Sequence, residues 1–303
     1  MMAASTCVVY NPQAGRGRAR HLLDQTRQWA CPTAEVRQTE GPGHAMELAR
    51  VAAQEGYATV VAAGGDGTSH EVANGLLQAD IPGTALGIWP LGSSNDYAFA
   101  LGLTPWWKHE GRGHALIRKH VDVGRLHDGG TRQQFYVNCA GVGFNGMVAL
   151  ESRSIRWLRG TPLYALAFLK AMAKHFRTPT LTVQLDDITH RWPTFALTVN
   201  IGLREGSFPI TAMAKLDDDR FDGLHVSDVS RWELLKFLPA LMSGNLPGDH
   251  PKLRRFTAQH IRVQAEEPLC IHGDGEFFCR PADGVTHAVF ESLPKRLLVE
   301  CAG

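Results

Sequence analysis

Several things are scarce in this 303-residue chain, and each scarcity removes a class of protein. It has six cysteines, Cys7, Cys31, Cys139, Cys270, Cys279 and Cys301, with no C-x-x-C pair among them. At this length that spacing argues against a disulfide framework and against a zinc site. No apolar run approaches the roughly 18–20 residues needed to span a bilayer. The opening MMAASTCVVYNPQAG has neither a basic segment nor a long apolar stretch of the kind a signal peptide carries. The formal net charge is +1, which leaves no electrostatic footprint for nucleic acid or a strongly acidic partner. Internal repeats and low-complexity segments are lacking too. A cytoplasmic protein without nucleic-acid function is the simplest expectation.

What is present is an ordinary globular composition, 44% hydrophobic and 20% charged. At roughly 100–200 residues per domain the length suggests two domains. The first third alternates strand and helix signals. STCVVYN (5–11), YATVVAAGG (57–65) and TALGIWPLG (84–92) read as strands. Helical spacing follows in 19–30, 43–56, 71–77 and 95–103. Such alternation implies βαβ units around a parallel sheet, with ligands at the carboxyl ends of its strands. Beyond about residue 120 the pattern becomes short and alternating, as in HVDVGRLHD, QQFYVNCAGVGF, TLTVQLDD, TFALTVNIGL, DGLHVSDV and HIRVQAEE, which points to a sandwich or barrel. One helical interruption, 161–176, divides these strands. The tail PKRLLVECAG (294–303) could return as a strand to the first domain.

Three glycine-bearing turns follow strands of the first region and should therefore gather on one sheet edge. In GGDGT (64–68) the glycines let backbone N–H groups approach an anion, and the next helix adds its dipole. As a plain strand–turn–helix junction, capped by Thr68 or Ser69 and favoured by Glu71, the stretch would need no ligand. Asp66 is what that reading leaves over. A carboxylate in an anion-binding turn makes sense when a cation such as Mg²⁺ mediates, which is the arrangement that phosphoryl transfer from a nucleoside triphosphate requires. The Walker A lysine is missing, and so is the G-x-G-x-x-G dinucleotide fingerprint. NPQAGRGRA (11–19) adds Arg16 and Arg18 as screening charge for a polyphosphate, and PLGSSND (90–96) adds hydroxyls and an Asn-Asp pair.

NPQAG, GGDGTSHEVANGL, LGIWPLGSSNDYAFALGL and HGDGEF, in that order from Asn11 to Glu276, resemble the diacylglycerol kinase catalytic family. The likeness is to its bacterial soluble lipid kinases, relatives of sphingosine and ceramide kinases and, more distantly, of NAD kinases. The resemblance implies an α/β plus β architecture: an N-terminal Rossmann-like α/β nucleotide domain and a C-terminal β-sandwich domain, with the active-site cleft between them. The expected domains are 1–122, with a C-terminal return at about 290–303, and 123–289.

By the same resemblance ATP is the phosphoryl donor. It would be held by Asn11, Gly15, Thr39, Gly64, Gly65, Asp66, Gly67, Thr68, Ser93 and Asn95, with Ser93 standing where relatives commonly have threonine. Asp66 and Asp96 would organise catalytic Mg²⁺. Glu276 of Asp274-Gly275-Glu276 would take the proton of the lipid hydroxyl, a role for which its carboxylate is chemically suited; by turn chemistry alone Asp-Gly reads as a hairpin. MAKLDDDRFD (213–222) resembles the family's A-x-x-x-D-G-x-x-D segment, a structural Mg²⁺ site. Its donors here would be the Asp218 carboxylate and backbone carbonyls near Lys215 and Arg220. Asp219 stands where the family has glycine, so either metal binding is strengthened or the loop conformation is lost. Asp122 matches an acid that supports the cleft.

Ala14 replaces a usual serine, and Asn145 a frequent aspartate. His70 and His272 read as a polar wall. The stretch 153–176 reads as a packed helix with a solvated face, or alternatively as a dock on an anionic membrane. The expected activity is transfer of the γ-phosphoryl group of ATP to a hydroxyl of diacylglycerol or a related lipid. The alternatives are an NAD kinase-like enzyme acting on a soluble metabolite and a catalytically silent nucleotide-binding regulator. Expected partners are ATP and a lipid alcohol, met in transient contact at the periphery of a membrane, and a homodimer is compatible with this.

Overall fold

In the computed structural model, residues 6–17, 19–103, 116–155, 157–158 and 160–303 are described. The chain divides into two units, Met1–Val121 with Lys295–Gly303, and Asp122–Pro294.

The first unit follows the alternation of its sequence. Its elements are β1 (Thr6–Tyr10), α1 (Ala19–Ala30), β2 (Glu35–Gln38), α2 (His44–Gln54), β3 (Thr59–Gly64), α3 (Asp66–Ala79), β4 (Ala85–Pro90) and the short α4 (Asp96–Ala100). β1, β3 and β4 are buried along almost their whole length, as strands covered on both faces must be. They pair in parallel in the order β2-β1-β3-β4. β1 and β3 are neighbours in the sheet although β2 lies between them in sequence, so the winding reverses there. Such a reversal opens a crevice outside the strand ends, where ligands of open α/β sheets bind. Asn11 follows β1 and Gly65 follows β3, and both therefore lie at that point.

The second unit contains β5 (Leu116–His127, which begins in the first unit), β6 (Gln133–Tyr136), β7 (Cys139–Gly143), α5 (Phe144–Ser154), α6 (Gly160–Lys174), β8 (Thr180–Leu185), β9 (Ile188–Pro193), β10 (Ala196–Asn200), β11 (Phe221–Val226), α7 (Arg231–Ser243), β12 (Leu253–Ala258), β13 (His260–Gln264), β14 (Ile271–Gly273), β15 (Glu276–Cys279) and β16 (His287–Ala302). One antiparallel sheet runs β12-β11-β10-β7-β14-β15. The other pairs β16 with β13, β13 with β8 and β8 with β9. Inward-pointing Tyr136, Leu197, Val199, Phe221, Ile261, Val263, Ile271 and Phe290 form the core of this sandwich. Tyr136 lies at its centre, stacked on Phe221 at 5.9 Å and edge-on to Phe290 at 6.4 Å.

The tail does return to the first unit: β16 pairs in parallel with β4, Val299 opposite Leu86. Among the described residues three α-helices, not one, interrupt the strands of the second unit. α5 begins in a glycine-rich stretch that reads as strand end. α7 carries Pro239 in its interior but also a complete capping box, in which the Ser230 hydroxyl accepts from the Glu233 N–H and Glu233 accepts from the Ser230 N–H. That S-x-x-E signal was legible in the sequence. α6 turns Ala167, Phe168 and Ala171 inward, with Phe168 and Ala171 in one cluster with Phe144 and Phe195, while Leu169 is exposed on it.

His225, buried on β11, leads to the expectation of a specific acid sensitivity. Burial pushes its pKa down to about 4, with Arg254 and His190 adding to the effect against an opposing bond at Pro193. The unfolded chain therefore binds a proton first. Stability is full above about pH 6.5 and is lost as pH falls toward 4, by up to ~3 kcal/mol. Urea unfolding of His225→Gln across this range should show a shallower decline than the unsubstituted protein.

Candidate functional site

The three glycine-bearing turns of the first unit interlock. The Asn11 side-chain amide donates to Thr68 Oγ1 at 3.1 Å, and Asn11 Oδ1 accepts from the Gln13 N–H. A Cβ added at Gly15, which has φ +58°, would lie 2.6 Å from the Leu91 carbonyl oxygen. One added at Gly92 would lie 2.4 Å from the Gly65 Cα. Backbone thus meets backbone between GGDGT and PLGSSND, and only glycine permits that approach.

Asp66 ties these two turns together. Its carboxylate accepts from the Asn95 N–H at 2.8 Å and from the Tyr97 N–H at 3.4 Å. Burial and the neighbouring Asp96 carboxylate push its pKa up to about 7, against the pull of those backbone bonds. Asp96 is itself buried. Two crowded, desolvated carboxylates are a natural seat for a divalent cation, whose charge relieves both burial and repulsion.

Thr68 caps nothing. The α3 N-cap is Gly65, without a side-chain cap, and Thr68 is buried inside the first turns facing Asn11. Glu71 serves the adjacent helix, accepting from the Gly43 and Ala45 N–H groups at the start of α2. Asn95 lies in the left-handed region at φ 54°, and its side chain exchanges two bonds with the Gly92 backbone, closing its own turn. Gly67 is exposed in the first turn of α3, and Ser93 is exposed in the turn after β4. Thr39 is buried with its N–H on the Tyr10 carbonyl, and Gly43, not Thr39, caps α2. The Arg16 side chain and Arg18 lie outside the described residues.

In the second unit Glu276 opens β15, just after a tight hairpin turn. Asp274 and Gly275 have φ of 53° and 84°, the pair of left-handed residues that a two-residue type I′ hairpin requires. Asp274 anchors this turn to the chain entering β7. Its Oδ1 accepts from the Asn138 and Cys139 N–H groups and its Oδ2 from that of Val137, at 2.9–3.0 Å. The Gly275 N–H donates to His272 Nδ1 at 3.3 Å, which places the ring proton on Nε2, facing Glu205 Oε1 at 3.2 Å. Asn145 and Thr198 donate to the same Glu205 carboxylate, so Asn145 supplies an amide where an acid would repel Glu205. Glu276 itself is exposed and pairs with Arg153 at 2.7 Å.

In the loop before β11 an aspartate takes the left-handed position where the resemblance leads one to expect glycine. Asp219 holds φ 59°, a conformation that aspartate tolerates better than most residues. Its N–H donates to Asp122 Oδ2 at 2.6 Å, and the Asp122 N–H donates to the Leu216 carbonyl at 2.7 Å. The buried Asp122 thus braces this loop. Burial, then the nearby Asp218, raises the pKa of Asp222, while Lys215 opposes the shift. Among the described residues no three His, Cys, Asp or Glu side chains converge as a metal cluster, so a cation here would draw on backbone carbonyls beside Asp218. Asp219→Val should cost roughly 1–2 kcal/mol, whereas Asp219→Gly should leave stability within about 1 kcal/mol, both measurable by urea unfolding.

Comparison with known proteins matches this arrangement. The diacylglycerol kinase catalytic domain family model matches residues 5–126, and the YegS C-terminal NAD kinase beta sandwich-like domain model matches residues 138–300. A Chromohalobacter salexigens protein named "Probable lipid kinase YegS-like" is 32% identical over 247 residues, 80% of this chain and 76% of the relative. A Bacillus subtilis diacylglycerol kinase is 25% identical over 277 residues, 89% of each chain. Among solved structures, a diacylglycerol kinase from Bacillus anthracis str. Sterne superposes with a TM-score of 0.69 at 19% identity, covering 100% of this chain and 98% of that one, which shows the shared fold. The parallel α/β unit, the antiparallel sandwich and both family matches lead to one conclusion: the chain belongs to the diacylglycerol kinase catalytic-domain family of lipid kinases.

Proposed function

We propose that this protein transfers the γ-phosphoryl group of ATP to a hydroxyl of diacylglycerol or a closely related lipid. The observation that carries the reading is the Asp66–Asp96 carboxylate pair set inside the interlocked glycine turns. Such a pair opposes a bare phosphate and suits a metal-bound polyphosphate.

The turn backbone at Gly64, Gly65 and Gly67, with Gly15 beside Leu91, would receive the phosphates. Asn11, Thr39, Thr68, Ser93 and Asn95 would shape and line the cradle. Asp66 and Asp96 would hold Mg²⁺, which when bound neutralises charge on the phosphate oxygens. Asp218 with the carbonyls of Lys215 and Arg220 would hold a second, structural Mg²⁺.

Glu276 takes the hydroxyl proton as the acceptor oxygen attacks the γ-phosphorus. An O–P bond forms, the bond from the γ-phosphorus to the bridging oxygen breaks, and ADP leaves. Access to a lipid implies approach to a membrane surface, for which the exposed Trp157 and Leu169 provide apolar contact. Among the described residues no helix is long and apolar enough to cross a membrane.

The test is purified protein with labelled ATP and Mg²⁺ against a panel: 1,2-dioleoylglycerol, ceramide, sphingosine and phosphatidylglycerol in mixed micelles, with NAD as a soluble control. Phosphorylation of a glycerolipid supports the proposal. Transfer to NAD alone, or ATP binding without transfer to any acceptor, overturns it.

A further inference from the structure

Glu276 has an unusual setting for a base. One carboxylate oxygen, Oε2, accepts from Arg153 Nη2 at 2.7 Å, while Oε1 has no hydrogen-bond partner among the described residues. The same Arg153 nitrogen also reaches the Gly275 carbonyl at 3.1 Å. It therefore grips both the carboxylate and the turn that presents it. The guanidinium lies over the Phe277 ring at 4.8 Å, and Arg280 lies over that ring at 4.7 Å. Stacking restricts a long side chain that would otherwise sample many rotamers.

The support continues into the helix that carries Arg153. Two residues earlier on α5, Glu151 is buried and binds Lys174 at 3.2 Å and His175 at 3.1 Å, at and just beyond the end of α6. The last turn of α5 is thereby fixed where Arg153 leaves it. The ion pair itself is exposed on both sides, with side-chain exposures of 42% and 49%. Pairs so exposed contribute little to folding. Stability does not explain a three-point arrangement of guanidinium, carboxylate and stacked ring.

We propose that Arg153 is the positioning residue for the Glu276 carboxylate: it anchors Oε2 and the Gly275 carbonyl, so that Oε1 faces the acceptor hydroxyl in a fixed orientation. This deepens the proposed function and rests on Glu276 being the base. A carboxylate that rotates freely about its last two torsions points a lone pair at the hydroxyl only part of the time. Anchoring one oxygen removes that freedom before substrate arrives, and small misplacements of a catalytic group are costly in rate. Arg153 acts through Glu276 and takes no proton.

The experiment is a double-mutant cycle on the full-length protein, assayed with Mg²⁺-ATP and mixed micelles of 1,2-dioleoylglycerol or, failing turnover of it, the panel lipid that the unsubstituted enzyme phosphorylates. It compares the unsubstituted enzyme, Arg153→Ala, Glu276→Gln and the double variant, with Arg153→Lys beside them. Arg153→Ala should lower kcat by about 10–100-fold while KM for ATP and thermal stability stay unchanged. Arg153→Lys should recover part of the rate, and guanidinium added to Arg153→Ala should recover more. In the Glu276→Gln background, Arg153→Ala should add no further loss, because the group it positions is already gone.

Additive losses in the cycle, a rise in lipid KM at constant kcat, or a fall in melting temperature that tracks the loss of activity would each overturn the inference while leaving Glu276 as base. Unaltered turnover by Glu276→Gln alone, or no turnover of any lipid of the panel by the unsubstituted enzyme, would overturn the base reading and the inference together.

Discussion

Glutamine in place of Glu276 is expected to lower kcat for lipid phosphorylation by about 10²–10⁴-fold, the range general-base catalysis supplies. The substitution keeps the shape of the side chain and its capacity to accept a bond from Arg153 through its carbonyl oxygen. It removes only the ability to take a proton. Glu276 is exposed, and its sole side-chain partner among the described residues is an exposed arginine. Folding stability should therefore stay within about 0.5 kcal/mol of the unsubstituted protein. KM for ATP should be unaffected, since the proposed nucleotide site is formed by the turns after β1, β3 and β4. Single-turnover measurement of phosphoryl transfer, with urea unfolding in parallel, separates chemistry from folding. Turnover within twofold of the unsubstituted protein would exclude Glu276 as the base.

Asp274→Ala should do the opposite, destabilising the fold as well as the activity. Asp274 accepts from three consecutive backbone N–H groups, those of Val137, Asn138 and Cys139. Alanine leaves them without their carboxylate acceptor in a stretch where all three residues are buried. A buried donor that loses its partner costs about 1–3 kcal/mol. Alanine is also poorly suited to φ 53°, at a further cost of roughly 1–2 kcal/mol. The expected total, allowing for partial rehydration, is on the order of 3–5 kcal/mol in urea unfolding. Asp274→Asn should fall between, because asparagine keeps one acceptor oxygen and tolerates the left-handed region. Activity should decline in both, since the turn carries Glu276. Retention of full stability in Asp274→Ala would show that the three amides find other partners.

Asp274 shows how far a motif can be read from sequence. Asp-Gly predicts the hairpin, and the left-handed pair at residues 274 and 275 bears that out. Nothing local indicates that the aspartate reaches a strand 135–137 positions earlier. Asp66 behaves the same way. Its place in GGDGT suggests metal and phosphate, yet its bonds to the backbone of residues 95 and 97 make it equally a clasp between two turns. Local spacing marks Thr68 and Glu71 as parts of a helix start, but Thr68 serves the Asn11 loop and Glu71 serves α2. In each case a short polar side chain had a plausible partner nearby in sequence and found a better one across the fold.

Features that depend on neighbours along the chain were readable from the residues alone. Periodicity marked the parallel-sheet strands, the switch to short alternating strands and the polar turns, because burial on one face or both imposes those periods directly. Glycine and Asp-Gly placed the turns, because few residues adopt their backbone angles. Features that depend on residues remote in sequence came only with packing. It brought Gly92 against Gly65, braced the Asp219 turn with Asp122, and set Arg153 on a carboxylate 123 positions away. A guanidinium at the end of a helix has no local signature of its target. Its partner is settled only when packing fixes the distance between α5 and the β14–β15 hairpin.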